Sequence, residues 1–219
     1  MTSAGQQAVR RRALHEALNR TLVLDAAEEA FGERGYDGAS VRDIAARAGF
    51  STAALYLLFT NKHELYVAAL LRRGVELVEA MQGASADDDP PMERLHRIAD
   101  AAIDFYREHP HFSRLIAQAH ARRVSSPLTD WQHHPDERVR IQFDRAMEFE
   151  ASVIRRGQEL GEIREGPPTA LAHLFSVLVN SFLAVGAPTV GEEEGLSLER
   201  LHDIIDGTFR APRARRRGR

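Results

Sequence analysis

The 219-residue sequence has no cysteine, which excludes a disulfide framework, a thiolate metal site and a cysteine nucleophile, and fits a reducing, cytoplasmic compartment. No apolar run is long enough to cross a bilayer. The most apolar stretch, residues 171–185, is short and carries His173 and Asn180, so a buried helix is expected there and no membrane span. Basic residues near the N-terminus are not followed by an apolar segment, so no secretory signal is expected. Alternating β-branched runs bounded by hairpin turns are missing, whereas apolar residues recur with helical spacing throughout. There is no internal repeat, nucleophile elbow, phosphate-binding glycine loop or zinc-protease motif. His109, His111, His120, His133 and His134 crowd one half of the chain, but not as a helical ligand pair with a nearby carboxylate at a recognised metal spacing. No catalytic residue, metal or cofactor is therefore expected.

What is present is an uneven charge distribution and a series of punctuated helices. The net charge is −3, yet the last ten residues hold six arginines and no acid, so the rest of the chain is distinctly acidic and any contact with a polyanion must be local. "RRR" at 10–12 and the arginine tail at 210–219 read as solvated, disordered ends. An all-α protein of about nine helices is expected. The first follows Leu22, Ala26 and Ala30 and stops at Gly35. The second is capped by Ser40, with Asp43 completing a box-like cap, and ends at Gly49; the third runs from Thr52 to Phe59 after Ser51. A fourth, capped by Asn61 with Glu64, continues to about Gly83. Beyond the acidic linker "SADDDPP", helices are expected at about 92–108, 111–124, 136–160, 167–186 and 198–209.

Helix, glycine turn and short helix form the helix-turn-helix arrangement, whose second helix enters the DNA major groove. Ala45, Gly49 and Ala53 allow close approach, and Leu55 and Phe59 turn inward, leaving Thr52, Ala53, Tyr56 and Leu57 outward. Residues 20–66 resemble the DNA-binding domain of the tetracycline-repressor (TetR) family of bacterial transcription regulators. The resemblance rests on Ala27, Phe31, Gly35-Tyr36, Ser40-Val41, Ile44-Ala45, Ala48-Gly49-Phe50-Ser51, Leu55-Tyr56, Phe59, Lys62 and Leu65. "GEIR" at 161–164 also resembles the family's lead-in to its dimerising helices. The resemblance implies that Ser40, Tyr56 and Lys62 hold phosphates while Thr52 and its neighbours meet base edges, and Ser51, the cap of the third helix, belongs to the same DNA-binding set. Phosphate contacts of that kind fix register without reading sequence. Where the family often has Gly-Thr before Leu-Tyr, this chain has Ala53-Ala54, and Leu57 stands where an aromatic or His is common. Polar readout then falls to Thr52, Arg42 and Arg47, with Ala53 and Leu57 suited to thymine methyls.

Three regions are expected: an N-terminal arm and helix-turn-helix domain at 1–62, a helical effector-binding and dimerisation domain at 63–209, and a basic tail at 210–219. Phe105, His120, Trp131, Phe143, Met147, Phe175 and Asn180 combine bulk with a few polar handles, as a mostly apolar effector pocket would. The apolar helices at 167–186 and 198–209 need more cover than one chain gives, which points to a homodimer. The expected function is that of a transcriptional repressor released from a palindromic double-stranded DNA operator by a small, largely apolar effector. A non-specific DNA-compacting protein could use the same head and tail. A helical enzyme with such a head would need a polar catalytic cluster between residues 90 and 190, which the sequence does not show.

Overall fold

The computed structural model describes residues 3–121, 136–185 and 196–212. Among them are nine helices: α1 (Ser3–Gly38), α2 (Val41–Arg47), α3 (Thr52–Leu58), α4 (Lys62–Gly83), α5 (Pro91–Glu108), α6 (Pro110–Ala121), α7 (Glu137–Glu159), α8 (Pro168–Val185) and α9 (Leu198–Phe209). Several ends are fixed by the chemistry the sequence announces. Ser40, Ser51, Asp136 and Ser197 each accept a hydrogen bond from an amide in the first turn of α2, α3, α7 and α9, satisfying donors that a helix start leaves unpaired. Gly49 and Gly161 adopt φ of 78° and 69°. Each closes the preceding helix with a paired C-terminal motif, Phe50 N–H to Ala45 O with Gly49 N–H to Ala46 O, and Glu162 N–H to Gly157 O with Gly161 N–H to Gln158 O.

Two expectations are corrected. Residues 3–21 are helical rather than a disordered arm, because α1 starts at Ser3 and carries Arg10, Arg11 and Arg12 exposed on it. Ala, Leu, Arg, Glu and Gln are strong helix formers and suffice there without a buried face. Gly35, at φ 71° and ψ 174°, interrupts the helical dihedrals of α1 where the sequence places the stop, and a short turn runs on to Gly38. Only half of the expected cap box of α2 forms: Ser40 Oγ accepts from Asp43 N–H at 3.0 Å, but the Asp43 carboxylate turns to Arg34 at 2.8 Å.

The chain divides into two compact units that do not follow sequence order. Unit 1 comprises residues 1–73 and 109–130, unit 2 residues 74–108 and 131–219. In unit 1, α1 packs on α6 as well as on α2. The α1–α6 contact needs Gly32, where an added Cβ would stand 2.5 Å from the His111 carbonyl oxygen; Gln118 Nε2 also donates to the Gly32 carbonyl at 3.1 Å. Phe31, Tyr36 and Tyr66 form an aromatic cluster with centroids 5.1 to 6.0 Å apart.

Unit 2 packs α7 on α8 and α5 on α7, α8 and α9. The "GEIR" turn is built in: Arg164 N–H donates to Phe209 O and Ala211 N–H to Glu162 O, each at 2.8 Å, pinning the turn after α7 to the end of α9. His96 and His202 stack at 4.3 Å between α5 and α9. Asp206 lies 3.1 Å from His96 Nε2, and Asp100 lies 2.8 Å from His202 Nε2. Among the described residues no helix is long and apolar enough to cross a membrane.

Candidate functional site

In unit 1 the core of the helix-turn-helix is made by Ile44, Ala45, Leu55, Phe59 and Leu65, all essentially inaccessible. Burying Leu55 and Phe59 fixes which side of α3 faces out. Tyr56 is 49% and Leu57 87% exposed, Ala53 one turn earlier is exposed, and Thr52 at the first position is half-buried. Three apolar side chains are thus held together in water on one short helix, where a single exposed leucine would need no explanation.

The surroundings hold that face rigidly. Arg20 donates from Nη1 to the Leu58 carbonyl at 3.1 Å, its guanidinium 4.3 Å from the Phe59 ring centroid. A cation thereby closes the negative end of α3 and covers its last core aromatic. Ser40 and Ser51 are exposed, and their hydroxyl oxygens accept from Asp43 and Ala54 amides. Each hydroxyl proton remains available to an outside acceptor. Arg42 is exposed in the first turn of α2. Lys62 is half-buried, its Nζ 4.6 Å from the Tyr36 ring centroid and 3.4 Å from the Asp37 carbonyl oxygen. Its place at the start of α4, unfavourable to that helix alone, has a local cause in the ring and carbonyl it meets.

Arg47, expected to read bases, is engaged inside the unit. Its guanidinium is held by Glu33 at 2.6 Å and Glu29 at 3.5 Å, both on α1. The hydrogen bond from Arg47 lowers the Glu33 pKa from its ordinary value, as expected for a carboxylate paired with a cation. With Arg34 bound to Asp43, three ion pairs fasten α2 to α1.

The residues expected to line an effector pocket divide. Phe105 on α5, Met147 on α7 and Phe175 on α8 are buried in unit 2, and Phe143 and Asn180 are half-buried there. Phe175 packs on Phe209 at 5.9 Å and Phe143 on His173 at 6.4 Å, while Asn180 Nδ2 donates to the Ser176 carbonyl at 2.8 Å. His120 lies on α6, in unit 1, its side chain outside the described residues, as is Trp131. Sequence reasoning missed Glu150, the buried acid of α7. The signal was available, because Glu150 falls in phase with Met147 and Ile154 on an apolar stripe. It missed Arg20 too, for which spacing gives no cue.

Comparison with known proteins agrees with this geometry. Residues 23–69 match the family model for bacterial regulatory proteins of the tetR family. Over 94 residues the chain is 38% identical to the HTH-type transcriptional activator FasR of Mycolicibacterium smegmatis, a match that spans 43% of either protein, less than half of that activator's length. Over 207 residues it is 27% identical to the HTH-type transcriptional repressor AcnR of Corynebacterium efficiens, covering 89% of this chain and 94% of that one. The crystal structure of AibR in complex with isovaleryl coenzyme A and operator DNA superposes with a TM-score of 0.63 at 20% identity, over 87% of this chain and 98% of AibR. A capped helix-turn-helix with an outward apolar face and the family match across it lead to one assignment: residues 23–69 form a DNA-binding domain of the kind found in bacterial regulatory proteins of the tetR family, and the chain as a whole shares the fold of AibR.

Proposed function

We propose that the protein is a cytoplasmic, homodimeric repressor whose two heads grip successive turns of a palindromic operator and which a small-molecule effector releases from DNA. The observation that carries the proposal is the outward face of α3, where Tyr56 and Leu57 stand exposed on a helix anchored by Leu55. Ser40, Ser51, Tyr56 and Lys62 would donate to phosphates, fixing register. Thr52 and Arg42 would meet base edges, and Ala53 and Leu57 thymine methyls, so the operator should be rich in thymine contacts. In a two-fold dimer the heads must stand about 34 to 36 Å apart, or a multiple of it, to meet one face of the duplex. Leu174 on α8 and Ile204 on α9 are exposed apolar side chains that a partner's α8 and α9 would cover. The effector part is supported by AibR, solved with a coenzyme A thioester and operator together, and requires a ligand that binds the released state more tightly.

Selection of bound duplexes from a random DNA library at near-physiological salt tests the reading. Enrichment of one palindrome supports it, and retention of DNA without a motif would replace it with non-specific compaction. On the selected operator, Lys62→Ala should weaken binding evenly across sequences and lower the salt slope by about 1, whereas Thr52→Ala should shift sequence preference.

A further inference from the structure

The core of unit 2 holds an acid that DNA binding does not use. Glu150 on α7 is only 3% exposed and lies one helical turn from the buried Met147 and Ile154. Its Oε2 accepts a hydrogen bond from Ser176 Oγ on α8 at 2.7 Å. Among the described residues no donor reaches its Oε1, and no Lys, Arg or His is paired with the carboxylate. Burial raises the pKa to about 8, and the Tyr106 phenol of α5, which burial and this acid both affect, is raised as well. A buried carboxyl with a single hydroxyl partner does not serve packing, since an apolar side chain of similar size would fit the stripe at lower cost. A strongly perturbed acid in such a place marks a candidate site.

We infer that Glu150 and Ser176 are the polar anchor of a ligand site in unit 2, and that its ligand is a hydrophobic amine. The protonated nitrogen would meet the open carboxylate oxygen, and the apolar body would lie among Met147, Ile154 and, one turn beyond Ser176, Val179. Charge decides the class. A ligand carboxylate would bring two anions together without a cation, and an alcohol or amide would make only a neutral hydrogen bond. An ammonium group displaces the carboxyl proton and makes a charge-assisted bond. This inference rests on the reading of unit 2 as the effector domain, and narrows the expected apolar effector to one with a basic nitrogen.

Octylamine, with octanol and octanoate as controls of equal length, is the probe, titrated calorimetrically into the full-length protein between pH 6.5 and 8.5. Octylamine should bind at least tenfold more tightly than octanol, and octanoate least. The amine stays protonated over this range while Glu150 must lose its proton, so affinity should rise about tenfold per pH unit and level off near pH 8. Glu150→Gln should bind octylamine no better than octanol. Glu150→Met should lose amine binding while keeping or raising the melting temperature, which separates loss of a site from loss of the fold. Octylamine binding no tighter than octanol, equal binding by Glu150→Gln, or a flat pH profile would overturn the site. Operator binding is read in parallel. Amine binding that leaves the operator bound supports the site and overturns the effector reading, whereas operator release by octanol or octanoate that survives Glu150→Gln supports the effector reading and overturns the site.

Discussion

Glu28 and Glu150 are buried to nearly the same depth, at 5% and 3% exposure, and the two units answer the cost in opposite ways. In unit 1, Glu28 Oε2 lies 3.1 Å from Arg72 Nη2 and 2.6 Å from Arg73 Nε, and Asp25 lies 2.8 Å from Arg72. The acid is the centre of a closed ionic joint between α1 and α4. In unit 2, Glu150 has one hydroxyl and no counter-charge. A compensated acid belongs to the architecture of the head, while an uncompensated one leaves a valence that something outside the chain can fill.

That contrast can be broken by measurement. The largest effect of a single substitution is expected from Glu28→Gln, which leaves Arg72 and Arg73 only the half-exposed Asp25 as counter-ion; destabilisation of about 3 kcal/mol should appear as a lower urea midpoint. A midpoint close to wild type would remove the distinction between the two acids. Next in size, counted per pH unit, is a pH dependence peculiar to Glu150. Its folded pKa of about 8 lies above the ordinary 4.5, so between those values the folded state holds a proton the unfolded chain has lost. Stability contributed below pH 4.5 is therefore lost as pH rises through 8, at up to ~1.4 kcal/mol per pH unit. Urea midpoints at pH 5, 6.5 and 8 should show this slope in wild type and its absence in Glu150→Gln. The smallest change is expected from Ser176→Ala, which removes the single donor to Glu150 and should cost about 1 kcal/mol; an unchanged midpoint would mean the hydroxyl contributes nothing to holding the acid.

Local chemistry made much of the fold legible in advance. Ser40, Ser51, Gly49 and Gly161 act within a few residues of themselves, so caps and stops could be placed by spacing alone, and the inward Leu55 and Phe59 identified the outward side of α3. What could not be placed depends on partners far along the chain. Arg47 looked free to read bases because Glu29 and Glu33, which hold it, sit on a different helix. The helical start of α1 was hidden because a solvent-exposed helix leaves no apolar period to detect. Glu150 is hidden for the converse reason: it is an acid within a stripe whose period is set by the bulky apolar Met147 and Ile154.

The seat of His111 against Gly32 has a consequence for how such regulators can be recombined. The head is not a cassette that ends where its recognition helix does, because α6, more than thirty residues downstream of Arg73, is folded into the same unit. A graft cut after Arg73 would carry α1 without the surface it was shaped to meet. Exchanging DNA specificity between relatives therefore calls for transplanting two separate segments, or for changing the outward residues of α3 in place.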